Sequence, residues 1–392
     1  MLERVKILFS SLASHGHLYP LLPLAIAAKS AGHEVVFATD SAMHGSVRSA
    51  GIEPLQAGMG MRDAFAEVAQ RTLEGGAVAM REQIPPEKMQ EMIAAVFAEA
   101  MPRRFATDLA PVIEDVRPDL VVQEAGNSGA AFAAMAAGIP VVCHAFGRAN
   151  PHGSRDTAIA ARLAKTASEF GVTLADPDNF GLGNPYLDIY PPSLQEPEFL
   201  ATANRVELRP VPYAEPGELP AVVREDGKPL VYLTLGTAFG SVGVLKQAID
   251  GLAALDARVL VAAGPTVDAA ALGGVPDNVF VEPWVPQADL LRYTSLVVHH
   301  GGAGTTLGTA AAGVPQLFLP QGADQFTNAD AVTGGGAGVQ LVPEEFSVDA
   351  VTERARHLLS DTGVQDAARR VAAEIAAMPS PEDIAARLGE FV

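Results

Sequence analysis

Apolar and polar positions along this chain fall into blocks. Short apolar runs of strand length alternate with longer stretches of helical spacing. Val5-Lys-Ile-Leu-Phe-Ser10 has the pattern of a buried strand, and a Gly/His loop follows it. Leu18 to Lys29 is read as a helix with prolines near its start, where they are tolerated, and Gly32 ends it. His33 to Thr39 is the next strand. The motif recurs with a strand at Asp119–Glu124, a small-residue helix at Ser128–Ala137 closed by Gly138, and a strand at Pro140–Phe146. Residues 57–105 read as irregular and partly helical, and 147–195 as containing more loop, including Asn184–Pro192.

The same alternation restarts after Arg209–Pro220, which holds four prolines in twelve residues and suits an extended linker. Strands are expected at Pro229–Thr237, Arg258–Ala263, Asn278–Glu282, Leu296–His299 and Pro315–Leu319. Helices are expected at Val242–Ala254, Ala288–Tyr293, Thr305–Ala312, Gln325–Thr333 and Val348–Leu359, with a helical tail from Gln365 broken at Pro379-Ser-Pro381. Strand–helix alternation of this kind predicts parallel sheets. The reading is two Rossmann-like domains. The first covers 1–208, the linker 209–225 and the second domain 226–375. A C-terminal helix at 376–392 is free to pack back on the first domain. Ligands in such sheets bind where the strands end, so the loops after Ser11, Leu235, Glu282, His299 and Leu319 are the places to look.

Composition narrows the functions. At roughly 150 residues per domain, 392 residues suit two or three domains. The charge balance, 27 basic against 46 acidic residues, gives −19 and disfavours nucleic acid and anionic membranes as partners. A single cysteine, Cys143, excludes an internal disulfide and a Cys-rich zinc site. No apolar run approaches the ~18 residues of a membrane span, and the N-terminal run is too short for a signal peptide. A cytoplasmic location is the expectation.

Candidate chemistry concentrates in Leu296-Val-Val-His-His-Gly-Gly-Ala-Gly-Thr-Thr-Leu-Gly308, where a strand runs into a glycine-rich turn that opens a helix. Exposed amides and the helix dipole there suit a diphosphate, although a tight turn packed on the sheet has the same pattern. Arg292 is the only Lys or Arg between Val281 and Asp330, so a phosphate would rely on amides, Thr305 and His300. The lone tryptophan, Trp284, sits on the rim of the same sheet and is either a base-stacking platform or a core residue. Asp324 and Gln325 either bond sugar hydroxyls or form a helix cap. In Ser14-His-Gly-His-Leu-Tyr-Pro20, His17 has the pKa class of a general base, although by residue type alone a lone loop histidine reads as a helix cap or surface group. Glu124 ends a parallel strand on the same sheet edge, and is either its orienting carboxylate or a cap for Asn127 or Ser128.

The combination Trp284-Val-Pro-Gln287, His299-His-Gly-Gly-Ala-Gly-Thr305, Gly313-Val-Pro315 and Asp324-Gln325 resembles the nucleotide-sugar signature of the family 1 glycosyltransferases. The nearer likeness is to actinomycete enzymes that decorate macrolide and enediyne antibiotics. The resemblance implies the GT-B fold, two Rossmann-like domains facing each other across a cleft. It implies that Trp284 stacks on the base while the main chain of Val285 meets its edge. Gly236, Thr237, His300, Gly302, Gly304 and Thr305 would hold the diphosphate, and Asp324 and Gln325 the sugar. His17 would be the general base of an inverting transfer, oriented by Glu124.

Many uridine-donor relatives carry a glutamate eight residues after the signature histidine, on the ribose hydroxyls. Gly308 stands there and favours a thymidine diphosphate deoxysugar. No cofactor and no metal are implied. The partners implied are a nucleotide-sugar donor and a bulky natural-product acceptor, with a homodimer left open. Seven of the ten methionines lie between Met43 and Met101, in the family's variable acceptor region. Met59, Met61, Met89, Met92 and Phe146 are therefore candidate acceptor contacts, with helical core as the other reading.

Rival classes fit less well. The first strand lacks a Gly-x-Gly-x-x-Gly turn, against a nicotinamide oxidoreductase, and no Gly-x-x-x-x-Gly-Lys-Ser/Thr is present. Nothing marks the elimination chemistry of an epimerase. A UDP-hexose enzyme of the same fold and a non-catalytic natural-product binder or helper protein are the alternatives. Adjacent His299 and His300 point to opposite faces of a strand and cannot easily share a metal.

Overall fold

The computed structural model describes residues 4–73, 84–149, 157–177, 179, 181–201, 204–225, 227–236, 241–265, 267 and 269–392. Contacts divide the chain into two units. One holds Met1–Ile189, Glu196–Leu208 and Pro379–Val392; the other holds Tyr190–Gln195 and Arg209–Met378.

The first unit is built on seven parallel strands: β1 (Lys6–Ser10), β2 (Glu34–Thr39), β3 (Pro54–Gln56), β4 (Leu120–Glu124), β5 (Val141–His144), β6 (Tyr186–Asp188) and β7 (Arg205–Glu207). Their order is β3-β2-β1-β4-β5-β6-β7. The order reverses between β1 and β4, which leaves a crevice at their C-terminal ends. One core packs the helices Met61–Thr72, Pro86–Ala95, Met101–Val116 and Ser128–Ala136 against this sheet through Val68, Met92, Phe105, Leu109 and Phe132. The short helix Pro381–Ala385 packs on the helix Leu22–Ser30. His33 ties it down: its Nδ1 accepts from Val5 N at 3.3 Å, and its Nε2 faces the Ala385 carbonyl at 3.1 Å.

The second unit has six parallel strands: β8 (Leu230–Thr234), β9 (Arg258–Ala262), β10 (Val279–Glu282), β11 (Leu296–His299), β12 (Gln316–Phe318) and β13 (Gly338–Gln340). Their order, β10-β9-β8-β11-β12-β13, places the switch between β8 and β11. Both faces are covered, which is why these strands read as continuous apolar runs.

Several elements differ from the sequence reading. The helix expected from Leu18 to Lys29 is two helices, His15–Leu18 and Leu22–Ser30. Pro20 and Pro23 lack the amide a continuing helix needs, so the second helix restarts with proline in its first turn. The strands expected at 140–146 and 229–237 are shorter, Val141–His144 and Leu230–Thr234. The helix expected at 288–293 is one turn, Gln287–Leu290, followed by a 3-10 turn. Four three-residue strands, β3, β6, β7 and β13, were not anticipated, and the stretch read as containing more loop at 147–195 also holds the helix Thr157–Ser168. Three residues carry no readable alternation, and their pairing comes from the neighbouring strand. Among the described residues no helix is long and apolar enough to cross a membrane.

Candidate active site

In the first unit both candidate groups converge on the crevice between β1 and β4. His17 lies in the helical turn just after β1, and Glu124 is the last residue of β4. His17 Nδ1 is 3.1 Å from Glu124 Oε1. The carboxylate side chain is fully buried, whereas the imidazole is 15% exposed and so open to a substrate. Glu124 Oε2 accepts from Leu12 N at 3.4 Å, and Oε1 accepts from Gly126 N. Asn127 caps the following helix, with its Oδ1 accepting from Ala130 N. Phe146 lies with its ring 4.3 Å from that of His17. Beside Glu124 across the strand pair is His144, which burial pushes down to about 4.

The methionines spread over the neighbouring helices. Met92 is buried in the core, Met59 packs against it, and Met61 and Met89 are half-buried. A pocket of about 270 Å³ has Met92 in its lining, but Lys88, Glu91 and Arg162 share the wall. It is therefore charged as well as apolar.

In the second unit β11 delivers His299 and His300 to the switch point. His299 is buried. Its Nε2 meets Gln316 Oε1 at 2.9 Å and its Nδ1 accepts from Gly301 N at 3.1 Å. Burial and the adjacent His300 push it down to about 3. The His300 ring stands at 85° to that of His299, with 6.3 Å between their centroids. Burial lowers it to about 4, and its Nδ1 meets no partner among the described residues. Gly301, at φ 97°, makes the turn, and no side chain fits because a Cβ would lie 2.8 Å from the Gln325 carbonyl. Gly236, after β8, and Gly302 both press on the His300 ring. Gly304, by contrast, faces open space.

Gly302 begins the helix Ala303–Ala311 without a side-chain cap, so its first amides are left for a ligand. Thr305 Oγ1 donates to Gln287 Oε1 at 3.2 Å, and Tyr232 OH donates to the same oxygen at 3.4 Å. Trp284 is 46% exposed and not a core residue, while Val285 is buried. Gly308 is buried in the same helix, and a Cβ there would meet Leu291 Cδ1 at 3.0 Å. Thr237 lies outside the described residues.

The loop after β12 is strained at Ala323, whose φ is 55°. Asp324 is exposed and accepts from Asn328 Nδ2 at 2.9 Å. Gln325 is buried, and its Oε1 accepts from Gln321 N at 2.7 Å and Gly322 N at 3.1 Å.

Three residues of this geometry were given no role in the sequence reading. Gly126 holds Glu124, Gln287 braces Thr305, and Asn328 joins Asp324 to the Gly301 carbonyl while accepting from Tyr190 OH at 2.6 Å. Asn328 stands one helical turn after Asp324, which is the only local signal it gave.

Two family domains match the chain. They are the N-terminal domain described as erythromycin biosynthesis protein CIII-like at residues 26–236, and the C-terminal domain of the same family at 246–391. Elloramycin glycosyltransferase ElmGT of Streptomyces olivaceus is 33% identical over 98% of this chain and 97% of its own. The glycosyltransferase SsfS6 of Streptomyces sp. SF2575, solved with thymidine diphosphate, superposes with a TM-score of 0.79 at 28% identity, covering 99% of this chain and 100% of its own. VinC, solved with dTDP, gives 0.78 at 26% identity over 98% and 99% of the two chains. The two parallel-sheet α/β units are those of the GT-B fold. This chain therefore belongs to the erythromycin biosynthesis protein CIII-like family of GT-B glycosyltransferases, enzymes of the antibiotic-biosynthesis type.

Proposed function

We propose that the protein transfers a deoxysugar from a dTDP-sugar to a hydroxyl of a bulky natural-product acceptor, with inversion and without a metal. The observation that carries the reading is the 3.1 Å approach of His17 Nδ1 to the buried Glu124 carboxylate. A carboxylate on Nδ1 keeps the proton there and leaves Nε2 as the basic nitrogen.

His17 Nε2 takes the acceptor's hydroxyl proton as that oxygen attacks the anomeric carbon from the face opposite the nucleotide. The new C–O bond forms as the bond to the diphosphate breaks, and its electron pair leaves on the phosphate oxygen. Amides at the start of the helix Ala303–Ala311 and the His300 ring stabilise that charge. Trp284 offers its exposed face to the base, with the Val285 main chain at its edge. Gly236 borders the diphosphate, and Asp324 and Gln325 border the sugar. Phe146, its ring tilted against that of His17, lies where the acceptor must sit.

The deoxynucleotide preference is supported by Gly308, which brings no carboxylate to a ribose 2′-hydroxyl, and by the thymidine diphosphate bound to SsfS6 and VinC. His17→Ala is expected to keep dTDP binding and to lose about 10²-fold or more in turnover. Near-normal turnover would remove His17 from the role. Calorimetric titration is expected to give tighter binding of dTDP than of UDP. The reverse order would indicate a UDP-hexose donor, and binding of neither would favour a non-catalytic binder.

A further inference from the structure

Gly126 meets the strand-end carboxylate in two ways. Its N–H donates to Glu124 Oε1, the oxygen that faces His17 Nδ1. It also leaves a space that the pair fills. A Cβ at 126 would lie 2.9 Å from Glu124 Oε1, 3.2 Å from Leu12 Cδ1 and 3.3 Å from His17 Cε1. Its φ is outside the left-handed region, so the backbone would accept other residues. What crowds a side chain is first the Glu124 carboxylate, with Leu12 and the His17 ring beside it.

A buried carboxylate keeps its charge and its orientation only if its oxygens are bonded. Leu12 N serves Oε2, and Gly126 N serves Oε1. The neighbouring His144, on β5, turns its Nδ1 to the Ala145 carbonyl at 2.6 Å and is held neutral by burial. The Oε1 geometry therefore rests on Gly126.

We propose that Gly126 is a positioning residue of the reaction: its amide fixes the carboxylate oxygen that orients His17, and its bare Cα leaves room for the ring. This rests on His17 being the base. Gly126→Ala is expected to lower kcat by about 10²-fold, the scale of a misplacement of about 1 Å. The donor KM and dTDP affinity should not change. A histidine that has lost its carboxylate holds its proton less tightly, so the acidic limb of kcat/KM should move to lower pH. In a Glu124→Gln background the same substitution should cost little, because no carboxylate is left to position. An unmoved limb, or a full additional loss in that background, would overturn the proposal.

Should Gly126→Ala fail to fold, wild type answers the question. In protein labelled with ¹⁵N-glycine, the Gly126 amide proton should lie downfield and move upfield in Glu124→Gln. No movement would overturn the assignment. Failure of the underlying reading is separate, since it appears as retained turnover in His17→Ala. Lost turnover there with an active, unshifted Gly126→Ala sinks only the positioning role.

Discussion

Gly302 lies against His300 so closely that a Cβ would stand 2.5 Å from Nε2 of the ring. Gly236 approaches the same edge of the ring, with its Cβ position 2.5 Å from Cε1 and 2.7 Å from Nε2. Two glycines from separate loops thus make room for one imidazole. Gly302 has φ −62°, so alanine there would be strained by contact and not by backbone. Gly302→Ala is expected to displace His300 and weaken dTDP binding about tenfold, equivalent to about 1.4 kcal/mol. Calorimetry would check it, and unchanged affinity would detach His300 from the diphosphate.

Trp284 carries nearly half its surface in solvent, which a large indole does at a cost unless something covers it. Trp284→Ala should weaken dTDP binding by the roughly 1–3 kcal/mol of an aromatic–base stack. Thermal stability should hardly change, and Trp284→Phe should retain most of the affinity. A drop in melting temperature with intact binding would make the residue structural.

Gly308 is not an empty slot awaiting a carboxylate. Besides Leu291, Pro212 approaches its Cβ position to 3.5 Å. Gly308→Glu is therefore expected to destabilise by about 1–3 kcal/mol, the range for overpacking, and not to confer UDP binding. Urea unfolding and nucleotide titration of the same variant read both effects. A clean gain of UDP affinity at unchanged stability would contradict this.

Two wholly buried histidines set a pH dependence. His299 at about 3 and His144 at about 4 both lie below the ordinary 6.5, so the folded protein binds fewer protons than the unfolded chain. Their stabilising effect is complete above about pH 6.5 and is lost as pH falls toward the folded values. Each should contribute a slope of about 1.4 kcal/mol per pH unit within that window. Urea unfolding at pH 7, 6 and 5 would measure it, and a flat profile would show that these rings protonate without penalty.

The sequence was most legible where chemistry and strand ends coincide. The glycine turn after His299, the exposed Trp284 and the strand-end Glu124 are local patterns, and the parallel sheet follows from alternation. It was least legible where pairing or packing decides. β6 lies in Asn-Pro-Tyr-Leu-Asp, which reads as loop, and becomes a strand only because β5 and β7 flank it. Pro20 was readable as an early-helix proline but divides the helix instead. Gly126 is one of 37 glycines, and nothing in its neighbours tells that a carboxylate oxygen from two residues earlier folds back onto its amide.

The His33 bridge between Val5 and Ala385 has a temporal meaning. Ribosomes make the chain from the N-terminus, and the first unit includes 379–392, which is made after residues 209–378 of the second unit. The seven-stranded sheet can assemble early, but the face of Leu22–Ser30 that Ile384 and Ala385 cover stays bare until the second unit has been synthesised. The unit begun first is thus completed after the second has been made, and loss of residues 379–392 would damage the N-terminal unit more than the one they follow.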